Sequence, residues 1–296
     1  MQIAVLGMGN MGRAVAGRLT AQGHRLSVWN RTPGKAGEVV AAGAVEASSA
    51  AEAARDADTV IMSLADDRAV LDVMERITEQ RSAPDSQVVV DMSTVSPRTS
   101  RRLADMAPGH RFVAAPIIAA PKTVLDGMAS GLLGGERRLV DRLEPLWVRL
   151  FNVHWFCGED PGSATTFKLL NNYLLMAEIA MVAEVVATAE AAELDIKLLR
   201  EVLDQWPTVP IGIRNRLDDI IGGDHQGWFS TRLGAKDVRH LVDTADAHGL
   251  SLPIARLVGR RYEQAAEHCG SGADIAAVVE VLRAEHRDGR SAAGDA

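Results

Sequence analysis

Gly7-Met8-Gly9-Asn10-Met11-Gly12 follows the apolar run Ile3-Ala4-Val5-Leu6 and leads into the helix-forming stretch from Arg13 to Gln22. In that context the three glycines do different things. Gly7 permits a tight turn off a buried strand, Gly9 lets the backbone approach a pyrophosphate, and Gly12 lets the helix pack closely on the sheet. Asn10 and Met11 open the helix, whose N-terminus offers N–H groups and a partial positive charge to phosphates. A GxGxxG pattern alone is weak, but a second strand, Arg25 to Trp29, arrives after the Gly23 helix stop, where a βαβ unit requires it. The stretch predicts a dinucleotide-binding Rossmann unit.

The end of that second strand selects the nucleotide. A chain built for NAD places Asp or Glu there to accept from the ribose 2′-OH, whereas this one reads Trp29-Asn30-Arg31-Thr32 with Lys35 a turn further on. Arg31 can grip a 2′-phosphate through its planar fork, with Asn30, Thr32 and Lys35 beside it, so NADP(H) is the expected cofactor. The plainer alternative makes Arg31 and Lys35 solvated charges on a helix cap.

Outward from this motif, strands fit Gln2 to Leu6, Arg25 to Trp29, Thr59 to Ser63, Gln87 to Asp91 and Arg111 to Ala114, with alanine-rich helical segments between several of them. Such alternation predicts a doubly wound parallel α/β sheet. The strand ends at Ser63-Leu64 and Asp91-Met92-Ser93-Thr94 should converge beside Gly7 to Gly12, since ligands bind outside the carboxyl ends of such strands. From Gly162 the pattern changes to helices, expected over Ser163–Glu193, Lys197–Trp206, Gly212–Ile221, Ser230–Ala247, Ile254–Glu267 and Asp274–His286. The organisation predicted is a Rossmann domain over 1–161, an all-α domain over 162–287 and a disordered tail over 288–296. Apolar residues spread widely around the first long helix, among them Leu170, Leu174, Ile179 and Val185, so it buries more than one face. Either a partner subunit or the other helices of the same chain cover the second.

The 296 residues carry a net charge of −7, which argues against nucleic acid or an anionic membrane as partner. No signal peptide and no apolar run of membrane-spanning length is visible, so a cytoplasmic protein is expected. Cys157 and Cys269 are too isolated for a disulfide framework and read as small buried residues, and no histidine spacing predicts a metal site.

The segments GMGNMG, VWNRTPGKA (28–36), DMSTVSP (91–97), GEDPGSATTFKLLNN (158–172), KDVRH (236–240) and GSGADIAAVVEVLR (270–283) together resemble the β-hydroxyacid dehydrogenase and imine reductase superfamily, over nearly the whole chain. The resemblance implies an NADP(H) or NAD(H) Rossmann domain joined to a helical dimerising domain, and hence a homodimer. It places a catalytic lysine on Lys168 and its asparagine on Asn172, and it implies that Ser93, Thr94 and Lys236 lie near the cofactor. Imine reductases generally carry Asp, Tyr or another residue where Lys168 stands, although VWNRTPGKA, GEDPG and the C-terminal segment have their flavour. A second departure lies in the substrate loop: where the dehydrogenases have Pro-Val-Ser-Gly-Gly, Pro116 here is followed by Ile117, Ile118, Ala119 and Ala120. Losing that serine removes an anchor for a substrate carboxylate of ~1.5–3 kcal/mol, which points to a less polar or bulkier substrate. Ala164 also replaces a family glycine, after a loop one residue longer.

Hydride transfer needs a group to handle the proton on the substrate heteroatom. A desolvated Lys168 suits that role, and i, i+4 spacing puts Asn172 on the same helical face to fix the heteroatom. A protonated lysine ~4 Å from an iminium would repel it by ~4 kcal/mol at an effective dielectric of 20, so a carbonyl/alcohol couple is favoured over imine reduction. The remaining alternative is a cofactor-bound scaffold without turnover. Met176, Trp206 and Trp228 are candidates for the substrate pocket, with core packing the competing use of each. Lys236 and Asp237 fit a surface ion pair nearly as well as a role at the cofactor.

Overall fold

The computed structural model describes residues 1–79 and 86–294, and the chain divides into two compact units, Met1–Lys168 and Leu169–Ala296. The division falls inside the helix Pro161–Ala191, later than the boundary after residue 161 expected above.

Among the described residues the first unit is built on nine strands: β1 (Gln2–Leu6), β2 (Arg25–Trp29), β3 (Val45–Glu46), β4 (Thr59–Met62), β5 (Val88–Asp91), β6 (Phe112–Ala114), β7 (Ile117–Ile118), β8 (Ala129–Gly135) and β9 (Phe151–Gly158). Their order is β3-β2-β1-β4-β5-β6-β8-β7, with β9 on β8. From β3 to β6 every pairing is parallel. Chain order reverses between β1 and β4, so the turns after these two strands open at the switch point, where a doubly wound sheet takes its ligand. The run Ile3-Ala4-Val5-Leu6 is wholly buried because helices cover both faces of the sheet. Ile3 and Val5 join one core layer with Val15, Val28 and Val90, while Ala4 and Leu6 join the other with Val60, Met62, Val89 and Leu103.

Three of the predicted strands are one residue shorter, and β3, β7, β8 and β9 were not foreseen. β8 runs antiparallel to β6 and β7, and β9 returns parallel to β8, so the sheet is mixed at this side. The sequence Ala-Ser-Gly-Leu-Leu-Gly-Gly gives no strand signal because its glycines serve packing: a Cβ at Gly131 would overlap the Phe151 ring, and one at Gly134 would lie 2.9 Å from the Ala164 Cβ.

The second unit is helical, with a core of Met176, Ile179, Val186, Leu217, Val238 and Tyr262 among others. The stretch expected as one helix over Gly212–Ile221 is two, Ile211–Arg214 and Leu217–Gly222. The break coincides with Arg216, whose guanidinium is drawn inward to the buried carboxylate of Asp274 and lies 4.6 Å from the centre of the Trp228 ring. Asp274 also accepts from the N–H groups of Phe229 at 3.3 Å and Ala276 at 3.1 Å, opening the turn before the last helix. That helix, Val278–Gly294, runs past Arg287, so the backbone to Gly294 is helical where a disordered tail is the expectation; residues 295–296 lie outside the described residues. Among the described residues no helix is long and apolar enough to cross a membrane.

Candidate active site

The glycine turn has the conformation its sequence requires. Gly7 has a φ of 103°, donates its N–H to the Trp29 carbonyl at 2.8 Å, and would press any Cβ onto the Ser63 carbonyl. A Cβ on Gly12 would overlap the Gly7 carbonyl oxygen, whereas one on Gly9 would meet nothing within 4 Å. Gly9 is the extended N-cap of the helix Asn10–Ala21, and no side chain caps that end. An open backbone approach ahead of an uncapped helix N-terminus fits a pyrophosphate.

Asn30 acts as a brace for this turn: its Oδ1 accepts from the Met8 N–H at 2.9 Å and its Nδ2 donates to the Thr32 carbonyl at 2.8 Å. Arg31, Thr32 and Lys35 follow on the surface, all exposed, and no carboxylate stands at the end of β2. Arg13, which reads in the sequence as an ordinary helix residue, donates to the Met8 carbonyl at 3.0 Å and to Asn10 Oδ1 at 2.9 Å. It thereby adds a fixed positive charge to the turn, and only its place one residue after the last glycine hinted at that.

The strand ends converge as expected. Leu64 donates its N–H to Ser93 Oγ at 2.9 Å, and Ser93 donates its own N–H to Asp91 Oδ1 at 3.1 Å. Asp91 and Ser93 are both buried, and Thr94 follows, partly exposed. In the next segment β7 turns Ile117 into one core layer and Ile118 toward the other, with Ala119 and Ala120 leading into the helix Pro121–Leu125.

Lys168 is only 9 % exposed, and Asn172 follows it on the same face of the helix Pro161–Ala191. Asn172 Nδ2 donates to Asp237 Oδ2 at 2.7 Å, and its Oδ1 accepts from Asn171 Nδ2 at 3.3 Å. The other oxygen of Asp237 faces Lys236 Nζ at 3.1 Å. This is no surface ion pair, because Asp237 is buried and the Lys236 side chain is 14 % exposed. Met176 lies in the helical core, where its carbonyl accepts from the Tyr262 hydroxyl at 3.0 Å and its methyl fills the space beside Gly234. Trp206 is exposed, and Trp228 stacks on Phe229 and covers Arg216. Cys157 and Cys269 are free and half-buried rather than buried; burial pushes both thiols above their ordinary value.

Residues 2–152 match the profile of the NAD-binding domain of 6-phosphogluconate dehydrogenase, which covers half of the chain. The chain belongs to this family. Residues 162–282 match a second profile, the NAD-binding domain of NADP-dependent 3-hydroxyisobutyrate dehydrogenase. Among curated relatives of this dehydrogenase family, glyoxylate/succinic semialdehyde reductase 1 of Arabidopsis thaliana is 26 % identical over 96 % of the chain and 99 % of its own length. The NADH-dependent oxidoreductase ucdB of Aspergillus ustus is 31 % identical over 93 % of the chain and 96 % of its own. Among solved structures, 3-hydroxyisobutyrate dehydrogenase of Mycobacterium tuberculosis with L-serine superposes with a TM-score of 0.82 at 25 % identity, covering 95 % of this chain and 99 % of that one. As a 6-phosphogluconate dehydrogenase-type protein, the chain is an oxidoreductase with NAD-binding domains.

Proposed function

We propose that the protein transfers hydride between NADP(H) and a small, relatively apolar carbonyl or alcohol, with Lys168 handling the proton on the substrate oxygen. The observation that carries this reading is a lysine only 9 % exposed, on one helical face with an asparagine whose amide is pinned by Asp237. Gly7, Gly9 and Gly12 with Asn10 and Met11 receive the pyrophosphate, and Arg31, Thr32 and Lys35 meet the 2′-phosphate. Leu64, Ser93 and Thr94 complete the first unit's contacts with the cofactor. When bound, NADP(H) supplies the hydride. In the reductive direction the Lys168 ammonium donates a proton to the carbonyl oxygen, and in the reverse direction the neutral amine accepts it from the hydroxyl. Asn172 holds the same oxygen with the amide proton that Asp237 leaves free. Ile118, Ala119 and Ala120 offer no side-chain donor, so the substrate is selected by apolar contact more than by a carboxylate anchor.

The phosphate preference rests on Arg31 and the missing carboxylate at the end of β2. The helix Pro161–Ala191 leaves Leu170, Leu174, Met181 and Val185 exposed along its length, which supports a homodimer closed over that stripe. Two free thiols fit a reducing compartment, the cytoplasm. The test is NADPH and NADH oxidation followed by absorbance with aldehydes, ketoacids, cyclic ketones and cyclic imines. Carbonyl turnover with NADPH is expected; turnover of imines alone, or tight NADPH binding with no turnover, would overturn the reading. A monomeric mass in solution would overturn the dimer.

A further inference from the structure

The first turn of the helix that carries Lys168 is held from three sides by residues for which hydride chemistry has no other use. Arg101 reaches Asp160 with two nitrogens, Nε at 3.0 and 3.1 Å from the two carboxylate oxygens and Nη2 at 2.7 Å. Asp160 Oδ1 also accepts from the Gly162 N–H at 2.9 Å, so one carboxylate ties the guanidinium to the start of the helix. Burial pushes this carboxyl up, but Arg101 and the Gly162 N–H outweigh that and hold it below the ordinary value. A Cβ at Gly162 would lie 2.8 Å from Arg101 Nη2, so a larger residue there would have to displace the guanidinium.

One turn on, Ser100 Oγ and Thr165 Oγ1 are 2.6 Å apart, and both residues are about 1 % exposed. Thr165 directs its single proton to the Pro161 carbonyl at 3.2 Å, so Ser100 is the donor to Thr165. Beneath the turn, β8 contributes Gly134, packed against Ala164 and Pro161. Lys168 lies three residues after Thr165 and four after Ala164, on the helical face these contacts fix.

Ser100 and Arg101 belong to the helix Pro97–Met106, which starts at Ser96 directly after the Ser93-Thr94 turn of β5. The clamp thus joins the turn proposed to face the nicotinamide to the turn that carries the amine. We infer that Arg101–Asp160 and Ser100–Thr165 are positioning pairs that set where the Lys168 Nζ stands relative to the Ser93-Thr94 turn. The inference rests on the role proposed for Lys168. The Arg101–Asp160 pair is half-exposed, with side chains 53 % and 43 % accessible, so it contributes little to stability. Its contribution is alignment, and a misplacement of about 1 Å in a reacting group can cost on the order of 10²-fold in rate.

The test compares Arg101→Ala, Arg101→Lys and Thr165→Val with the unaltered protein and with Lys168→Ala, on a carbonyl compound that the panel shows to be reduced. Arg101→Ala and Thr165→Val should lower kcat about tenfold or more while the NADPH KM stays within about twofold, and Arg101→Lys should recover most of the loss. Arg101→Ala should move the melting temperature by less than about 3 °C. Independently of turnover, acetylation of Lys168 by an amine-reactive ester, read by peptide mass spectrometry, should speed up about threefold or more in Arg101→Ala as the amine leaves its buried position. Unchanged kcat and unchanged labelling in Arg101→Ala would overturn the inference, as would a loss of kcat matched by equal losses of cofactor affinity and melting temperature. Full activity in the clamp variants beside an inactive Lys168→Ala sinks the clamp alone; full activity in Lys168→Ala sinks the reading beneath it.

Discussion

The nucleotide turn and the helical unit hold their functional groups by different means. Around Gly7–Gly12 the main chain does the positioning, through a positive φ, a carbonyl pressed against a glycine and a helix end left open. In the helical unit the work falls to side chains reaching across long stretches of sequence: Asn172 to Asp237, Arg216 to Asp274, the Tyr262 hydroxyl to the Met176 carbonyl, and Glu190 to Arg283. Glycine spacing is short-range and specific, so the first kind of site can be read from a dozen residues. The second kind depends on which helices pack together, and no single helix records that.

The sharpest way to break the contrast is to remove the one group assigned to proton transfer. Lys168→Ala should lower kcat for carbonyl reduction by about 10²–10⁴-fold, measured under saturating NADPH, with the NADPH dissociation constant almost unchanged. Turnover close to that of the unaltered protein would show that the chemistry does not lie in the lysine the helix presents.

A comparable effect, on stability instead of rate, belongs to the helical unit. Asp274→Ala leaves the Arg216 guanidinium buried without its carboxylate and should cost ~3–5 kcal/mol in a urea melt. The phenol of Tyr262, pushed far above its ordinary value by burial and then by Asp274, stays neutral in either case and keeps its bond to Met176. A loss below about 1 kcal/mol would mean that main-chain packing, not this ion pair, holds the second unit as it does the first.

Smaller again, Arg31→Ala should reduce the preference for NADPH over NADH by about 10–100-fold, the loss of one charged hydrogen-bonding partner for a phosphate. Equal use of the two nucleotides by the unaltered protein would remove the basis for this prediction, and the NADH-dependent relative makes that measurement informative.

The smallest expected effect is in acid. Asp160 and Glu280 are both held below the ordinary carboxyl value, Glu280 because hydrogen bonds from Arg283 and His225 outweigh its burial. A carboxyl held low in the folded state contributes stability that is complete above its unfolded value, near 4, and disappears as the pH falls through the folded one. The melting temperature should therefore drop between about pH 5 and pH 3, and Arg101→Ala should show a slightly smaller drop, the difference being only a few tenths of a kcal/mol for so exposed a pair.

From the sequence alone came the nucleotide turn, five parallel strands (β1, β2, β4, β5 and β6), the change to helices after residue 161 and the pairing of Lys168 with Asn172 on one helical face. All four are consequences of local spacing, in which a period of two, a period of 3.6 or a run of glycines leaves its mark on neighbouring residues. Only the tertiary structure decided that β8 and β9 are strands, because the β8 glycines answer to Phe151 and Ala164 rather than to any strand propensity. It also decided that the helix expected over Gly212–Ile221 breaks where Arg216 turns toward Asp274, that Asp237 is buried with Lys236 partly buried beside it, and that Arg101 and Ser100 grip the turn before Lys168. Each of these joins residues far apart in the chain, and the free energy of such contacts depends on packing that no local pattern encodes.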